Sequence, residues 1–297
     1  MHGVKRVQYS KEVLEARKQR DQARLKDYLA LYEQVFQKRK NKDFSQDAFD
    51  STTNILRMNP ELYTIWNYRR NVMTNGIFPA SDPSKVNDIL SDDLSLTFAL
   101  LKEHPKVYWI WSHRMWCLEH VPDGPTDDQL KGWKTTNWKK ELFVVEKMLD
   151  ADARNFMAWN YRRYILGNMD PPPPPSAELT YTTKKIEANF SNFSAWHQRS
   201  RVLMSLWKEG KLDEKTSKQT EFELVQNAMY TDPDDQSVWI YHAWLIDAGE
   251  DTALLRREIT SIQELLDEQP DSKCTVYGVA CPIQEAHFGE AFGQLGP

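Results

Sequence analysis

The feature that most constrains this chain is a short pattern occurring five times: Asn, Asp or His, often then Pro, with Trp seven residues on and Arg three further. The copies are NPELYTIWNYRR from Asn59, HPKVYWIWSHR from His104, DARNFMAWNYRR from Asp152, NFSNFSAWHQRS from Asn189 and DPDDQSVWIYHAW from Asp232. Only the last replaces the Arg, with His242. The aligned tryptophans are separated by 45, 48, 37 and 43 residues, a variable period near that of two-helix repeats. Each copy therefore predicts one helical hairpin. The fold class expected is all-α, a right-handed α-α superhelix of five to six hairpins.

Segments ahead of the motifs carry helical apolar spacing, as in Leu94, Phe98 and Leu101 or Leu142, Val145, Met148 and Leu149. These are the first helices. Proline disfavours helix in the residue before it, so N-P or D-P ends the first helix and the Trp-Arg segment opens the second. A residue recurring at one slot of every repeat serves the stack before it serves any single site. Trp66, Arg69, Trp111, Arg114, Trp159, Arg162, Trp196, Arg199 and Trp239 are accordingly read as structural: Trp fills the space between hairpins, and Arg pairs with carboxylates or carbonyls of a neighbouring repeat.

Residues 1–40 form a charged helical segment, 41–273 the repeat array and 274–297 an atypical tail without the expected Trp or helical spacing, expected to be disordered. Two stretches are expected to interrupt the array: an extended loop at Pro171 to Pro175 with Ser176, and a polar insertion from Gly210 to Lys218.

Composition narrows the function. A formal charge of -5 gives no electrostatic reason to expect nucleic acid. Three cysteines without a CxxC pair suit a reducing, cytoplasmic setting, and no apolar run is long enough to span a membrane. No GxSxG elbow, phosphate-binding glycine loop or HExxH is present. His113, Cys117 and His120 share part of one helix face, but no fourth ligand or loop signature accompanies them. Lys106 and Tyr108 stand out in the turn entering a second helix, where a Lys ammonium can meet an anion near the positive helix end.

With those residues in view, the chain resembles the alpha subunits of the protein prenyltransferases, whose repeats carry a capped turn and then W-x-x-R-R. The paired Arg69-Arg70 and Arg162-Arg163 carry the match, which covers residues 1 to about 273. The opening MHG and the stretch from Glu223 to Trp244 are similar to the Rab geranylgeranyltransferase (type II) branch. The length suits a compact form without the immunoglobulin-like and leucine-rich domains of animal relatives.

The resemblance implies a heterodimer with a beta subunit that holds zinc and geranylgeranyl diphosphate. The zinc lowers the pKa of a C-terminal Rab cysteine for attack on the lipid, and a Rab escort protein presents the Rab GTPase. By motif, the family's Lys and Tyr of N-P-K-x-Y fall on Lys106 and Tyr108, implying that Lys106 steadies the departing diphosphate. The pattern N-Y-H-A-W falls on the stretch from Asn155 to Trp159; it retains Asn155 and puts Met157, which cannot donate a hydrogen bond, where the family has His. The imidazole of His2 is expected to reach the partner's open zinc position. Two other functions fit the repeat: an alpha subunit of farnesyltransferase or geranylgeranyltransferase type I, or a non-catalytic scaffold of the tetratricopeptide type. The period argues against the scaffold, since tetratricopeptide repeats hold to about 34 residues.

Overall fold

The computed structural model describes residues 10–124, 132–246 and 252–272. Every regular element among them is helical. The first helix, α1 (Lys11–Lys40), precedes five hairpins: α2 (Gln46–Met58) with α3 (Tyr63–Val72), α4 (Pro83–Glu103) with α5 (Tyr108–Glu119), α6 (Gly132–Ala151) with α7 (Phe156–Asn168), α8 (Pro175–Ala188) with α9 (Phe193–Lys208), and α10 (Glu214–Thr231) with α11 (Gln236–Ile246). The last helix, α12 (Thr252–Glu268), occupies the first-helix place of a sixth repeat. The calls on His2 and on the tail 274–297 fall outside the described residues.

The chain divides into two compact units, Met1–Met148 with Asn160–Ile165, and Leu149–Trp159 with Leu166–Pro297. In the first unit α1 is solvent-exposed over its first half and engages only from Tyr28 onward, where the Asn59 side chain donates to its hydroxyl at 3.2 Å. Val35 of α1 is fully buried, and the core continues through Ile55, Leu56, Ile65 and Leu90. After α3 the chain passes through a π turn, Met73–Ile77. Gly76 lies so close to the Phe44 carbonyl that a β-carbon there would stand 1.9 Å from the oxygen, so this turn admits only glycine. The second unit is cored by Leu203, Phe222, Val225, Val238 and Leu245.

Two expectations about interruptions are corrected. Pro175 and Ser176 already belong to α8, because proline at the first helical position gives up only an N–H that has no partner there. Likewise the polar stretch ends at a turn through Gly210, and Glu214 to Lys218 is the first turn of α10, capped by the Asp213 side chain accepting from the Thr216 amide at 2.8 Å. Polarity there marks a helix start instead of an insertion.

Candidate functional site

Two kinds of bond recur in the turns that the motifs build. The leading Asn or Asp accepts a backbone N–H two residues on: Asn59 from Glu61, Asp152 from Arg154, Asn189 from Ser191 and Asp232 from Asp234, each at 3.1 Å. Six residues behind every Trp a turn carbonyl accepts its indole N–H: Pro60, Pro105, Ala153, Phe190 and Pro233, at 2.7–3.0 Å. The tryptophan thus ties the second helix to the turn before it as well as filling the core.

The arginines join three helices. Arg69 reaches back to α2, donating to the Phe49 carbonyl at 3.1 Å and to Thr52 and Thr53 hydroxyls at 2.7 Å, and forks forward onto Asp93 of α4 with Nε at 2.9 Å. Arg114 repeats this, with Leu94 and Thr97 behind it and Glu141 of α6 ahead at 3.0 and 2.5 Å. Arg199 does so again in the second unit, with Leu179, Thr182 and Thr183 behind and Glu221 ahead at 2.6 and 2.7 Å. The neighbouring repeat supplies the carboxylate, as expected, whereas the carbonyl and hydroxyls come from the arginine's own hairpin. Arg162 lies 3.5 Å from Glu146 of its own hairpin, and His242 faces Glu258 of α12 at 3.3 Å.

Those carboxylates form a recurring feature that the sequence reading missed. Asp93, Glu141, Glu178 and Glu221 are all buried, and each bonds the residue twenty positions later in its own second helix: His113 at 2.8 Å, Tyr161 at 2.5 Å, Gln198 at 3.2 Å and Tyr241 at 2.7 Å. Every such partner immediately precedes the repeat's Arg or His. Of these four rungs, only the one at His113 contains an imidazole. Arg70 donates to its Nδ1 at 3.2 Å, so Nδ1 is the acceptor and Nε2–H is the donor to Asp93: the imidazole is neutral.

Burial pushes the His113 pKa down to about 4, against the pull of Asp93. Burial also opposes the charge on Asp93, but the Arg69 guanidinium and His113 outweigh it and hold that carboxyl well below the usual range. Between pH 6.5 and 4 the unfolded chain therefore takes up a proton on His113 that the folded chain refuses, and stability falls as pH drops through that window. The loss is at most about 3 kcal/mol. Urea unfolding should show it as a falling midpoint from pH 7 to 4 that is shallower in His113→Gln; an unchanged slope in the variant would assign the effect elsewhere.

Asp93, His113 and Cys117 place one potential metal-binding atom each within 4.8 Å of one another. They do not fit a cation. Arg69 and His113 already share Oδ2 of Asp93, both His113 nitrogens are engaged, burial drives the Cys117 thiol up, and two guanidinium groups border the cluster. His120 stands apart at the surface, its Nδ1 bonded to the Trp116 carbonyl at 2.8 Å.

Lys106 and Tyr108 are exposed, Tyr108 by 54%, beside Trp109, whose ring lies 5.2 Å from that of Tyr108. Asn155 is buried and caps α7, its Oδ1 accepting the Met157 and Ala158 amides at 3.0 and 3.2 Å. Met157 is buried as well.

Helical hairpins locked by arginine and carboxylate define a helical-repeat subunit, with an exposed Lys-Tyr turn at the entry to α5. The protein prenyltransferase alpha subunit repeat matches residues 45–76, 90–121, 138–169, 175–206 and 218–249. The geranylgeranyl transferase type-2 subunit alpha of Schizosaccharomyces pombe is 36% identical over 297 residues, covering 92% of this chain and 83% of that protein. Its Saccharomyces cerevisiae counterpart is 41% identical over 251 residues, covering 83% and 72%. The solved Candida albicans protein geranylgeranyltransferase-I, complexed with GGPP, shares the fold at a TM-score of 0.63 and 21% identity, covering 91% of each chain. The chain belongs to the protein prenyltransferase alpha-subunit family, in its geranylgeranyl transferase type-2 branch.

Proposed function

We propose that this chain is the alpha subunit of a heterodimeric Rab geranylgeranyltransferase, working in the cytoplasm with a beta subunit and a Rab escort protein. The observation that carries the reading is the exposed Lys106–Tyr108 turn in a chain that otherwise spends its buried charges on holding hairpins together. Lys106 offers an ammonium at a helix start to a departing diphosphate, Tyr108 flanks it, and Asn155 contributes by holding the equivalent turn of the third repeat. Zinc, bound by the beta subunit, supplies thiolate activation when present. His2 is the chain's own candidate for contact with that ion. The roles divide along the chain into a charged segment 1–40, the repeat array 41–273 and the tail 274–297. The escort protein is assigned to the outer surface of repeats four and five.

Co-expression with a type-2 beta subunit tests this. A stoichiometric, zinc-containing complex that transfers geranylgeranyl to a Rab bound to its escort protein, with this chain inert alone, is the expected result. Transfer to a CaaX-ending protein instead would reassign the chain to the farnesyltransferase and geranylgeranyltransferase type I alpha subunit. A chain that ignores every beta subunit would be a scaffold.

A further inference from the structure

His113 bonds two neighbouring helices at once. Tyr161, Gln198 and Tyr241 each bond a carboxylate on the first helix of their own hairpin. His113 does this through Nε2, and through Nδ1 also accepts from Arg70 of α3, the preceding second helix, at 3.2 Å. The same guanidinium donates to the Ser112 hydroxyl at 3.3 Å and lies 5.8 Å from the Trp116 ring centre. The imidazole is packed between Trp66, 4.7 Å away, and Trp116, 5.6 Å away. Because the two nitrogens point to different edges of a rigid ring, α5 is fixed against α3 and α4 at once.

What α5 carries is the Lys106–Tyr108 turn. Tyr108 is its first residue, and the Trp111 indole holds the carbonyl of Pro105, the residue before Lys106, at 3.0 Å. A shift of α5 is therefore passed to the Lys106 turn through this hydrogen bond and the first turn of the helix.

We infer that Arg70 and His113 are the positioning pair for the Lys106–Tyr108 turn, holding it in register for the anion it meets; this rests on the proposed function. Neither touches substrate. Their effect reaches the reaction only through where Lys106 stands, and small displacements of a positioned charge are costly in rate.

The test uses the assembled heterodimer with Arg70→Gln and His113→Gln. Glutamine at the His113 slot can keep the rung bond, as Gln198 does with Glu178, but its flexible chain replaces the rigid ring that fixes both bonds at once. Arg70 is only half-buried, so its variant remains informative if His113→Gln folds poorly. Each variant should lower kcat about tenfold while heterodimer affinity and KM for the lipid diphosphate stay within about twofold. Adding His113→Gln to Lys106→Ala should slow the enzyme no further. Multiplying effects, an unchanged kcat, or a loss that follows heterodimer affinity would overturn the inference. Amide exchange gives an activity-independent readout: Lys106, Val107 and Tyr108 should exchange faster in His113→Gln while Arg154 and Asn155 do not. Unchanged exchange would refute the pair even if the wild-type complex proved inactive, an outcome that instead counts against the proposed function.

Discussion

Glu141→Leu should lower the free energy of unfolding by about 3–5 kcal/mol, the largest loss expected from a single rung. Glu141 is buried and accepts three bonds, two from Arg114 and one from the Tyr161 hydroxyl at 2.5 Å. Removing it leaves the Arg114 guanidinium, 1% exposed, with the Leu94 carbonyl, the Thr97 hydroxyl and Tyr161 around it, none of them a counter-ion. A buried cation without its counter-ion bears the desolvation cost that the pair had offset. The same physics predicts that Arg114→Met combined with Glu141→Leu recovers most of the loss, because an apolar pair removes both desolvation terms. Urea unfolding of the wild type, both single variants and the double variant would measure this. A Glu141→Leu loss below about 1 kcal/mol would mean that the guanidinium finds solvent, and that the rung contributes little.

The tryptophans and arginines of this ladder were legible in the sequence because they recur at a fixed offset from one another. Their carboxylate partners were not, because Arg69, Arg114 and Arg199 meet them 24, 27 and 22 residues later, and the acid changes between Asp and Glu. A signal was present all the same. Asp93, Glu141, Glu178 and Glu221 each stand twenty residues before the side chain they bond, the position just ahead of the repeat's Arg or His. Threonine likewise stands 17 residues before Arg69, Arg114 and Arg199. Offsets inside one hairpin are set by helix geometry and are constant, whereas offsets to the next hairpin absorb every change in loop length. Periodicity therefore exposes partners within a repeat and hides those between repeats.

The candidate site was legible in a different way. Lys106 departs from the repeat, and a departure costs the stack nothing only where the side chain is exposed, as it is here, whereas Tyr108 shares its slot with the exposed Tyr63, Phe156 and Phe193 and stands out only beside Lys106. Met157 shows the converse: standing where the family pattern has His, it is buried, and an apolar side chain is held there at no cost of an unpaired polar group. Asn155 could not be separated by sequence into ligand or cap, since both uses favour a short amide ahead of a helix; the bonds to Met157 and Ala158 identify the cap.

Lys106→Ala should reduce turnover of the assembled heterodimer about 100-fold, with heterodimer affinity changed by less than about threefold. Lys106 is exposed in the turn that enters α5 and belongs to none of the buried arginine-carboxylate rungs described above. Its contribution grows as the bond to diphosphate breaks and negative charge accumulates on the leaving group, so the effect belongs in kcat more than in KM. Lys106→Arg separates charge from geometry: it keeps the cation but replaces a compact ammonium by a planar fork, and should recover only part of the rate. Single-turnover transfer to an escort-bound Rab would measure both variants. Full recovery by Arg would mean that net charge suffices, and turnover within twofold of wild type for Lys106→Ala would remove Lys106 from the site, leaving the turn that Arg70 and His113 brace with a purely structural use.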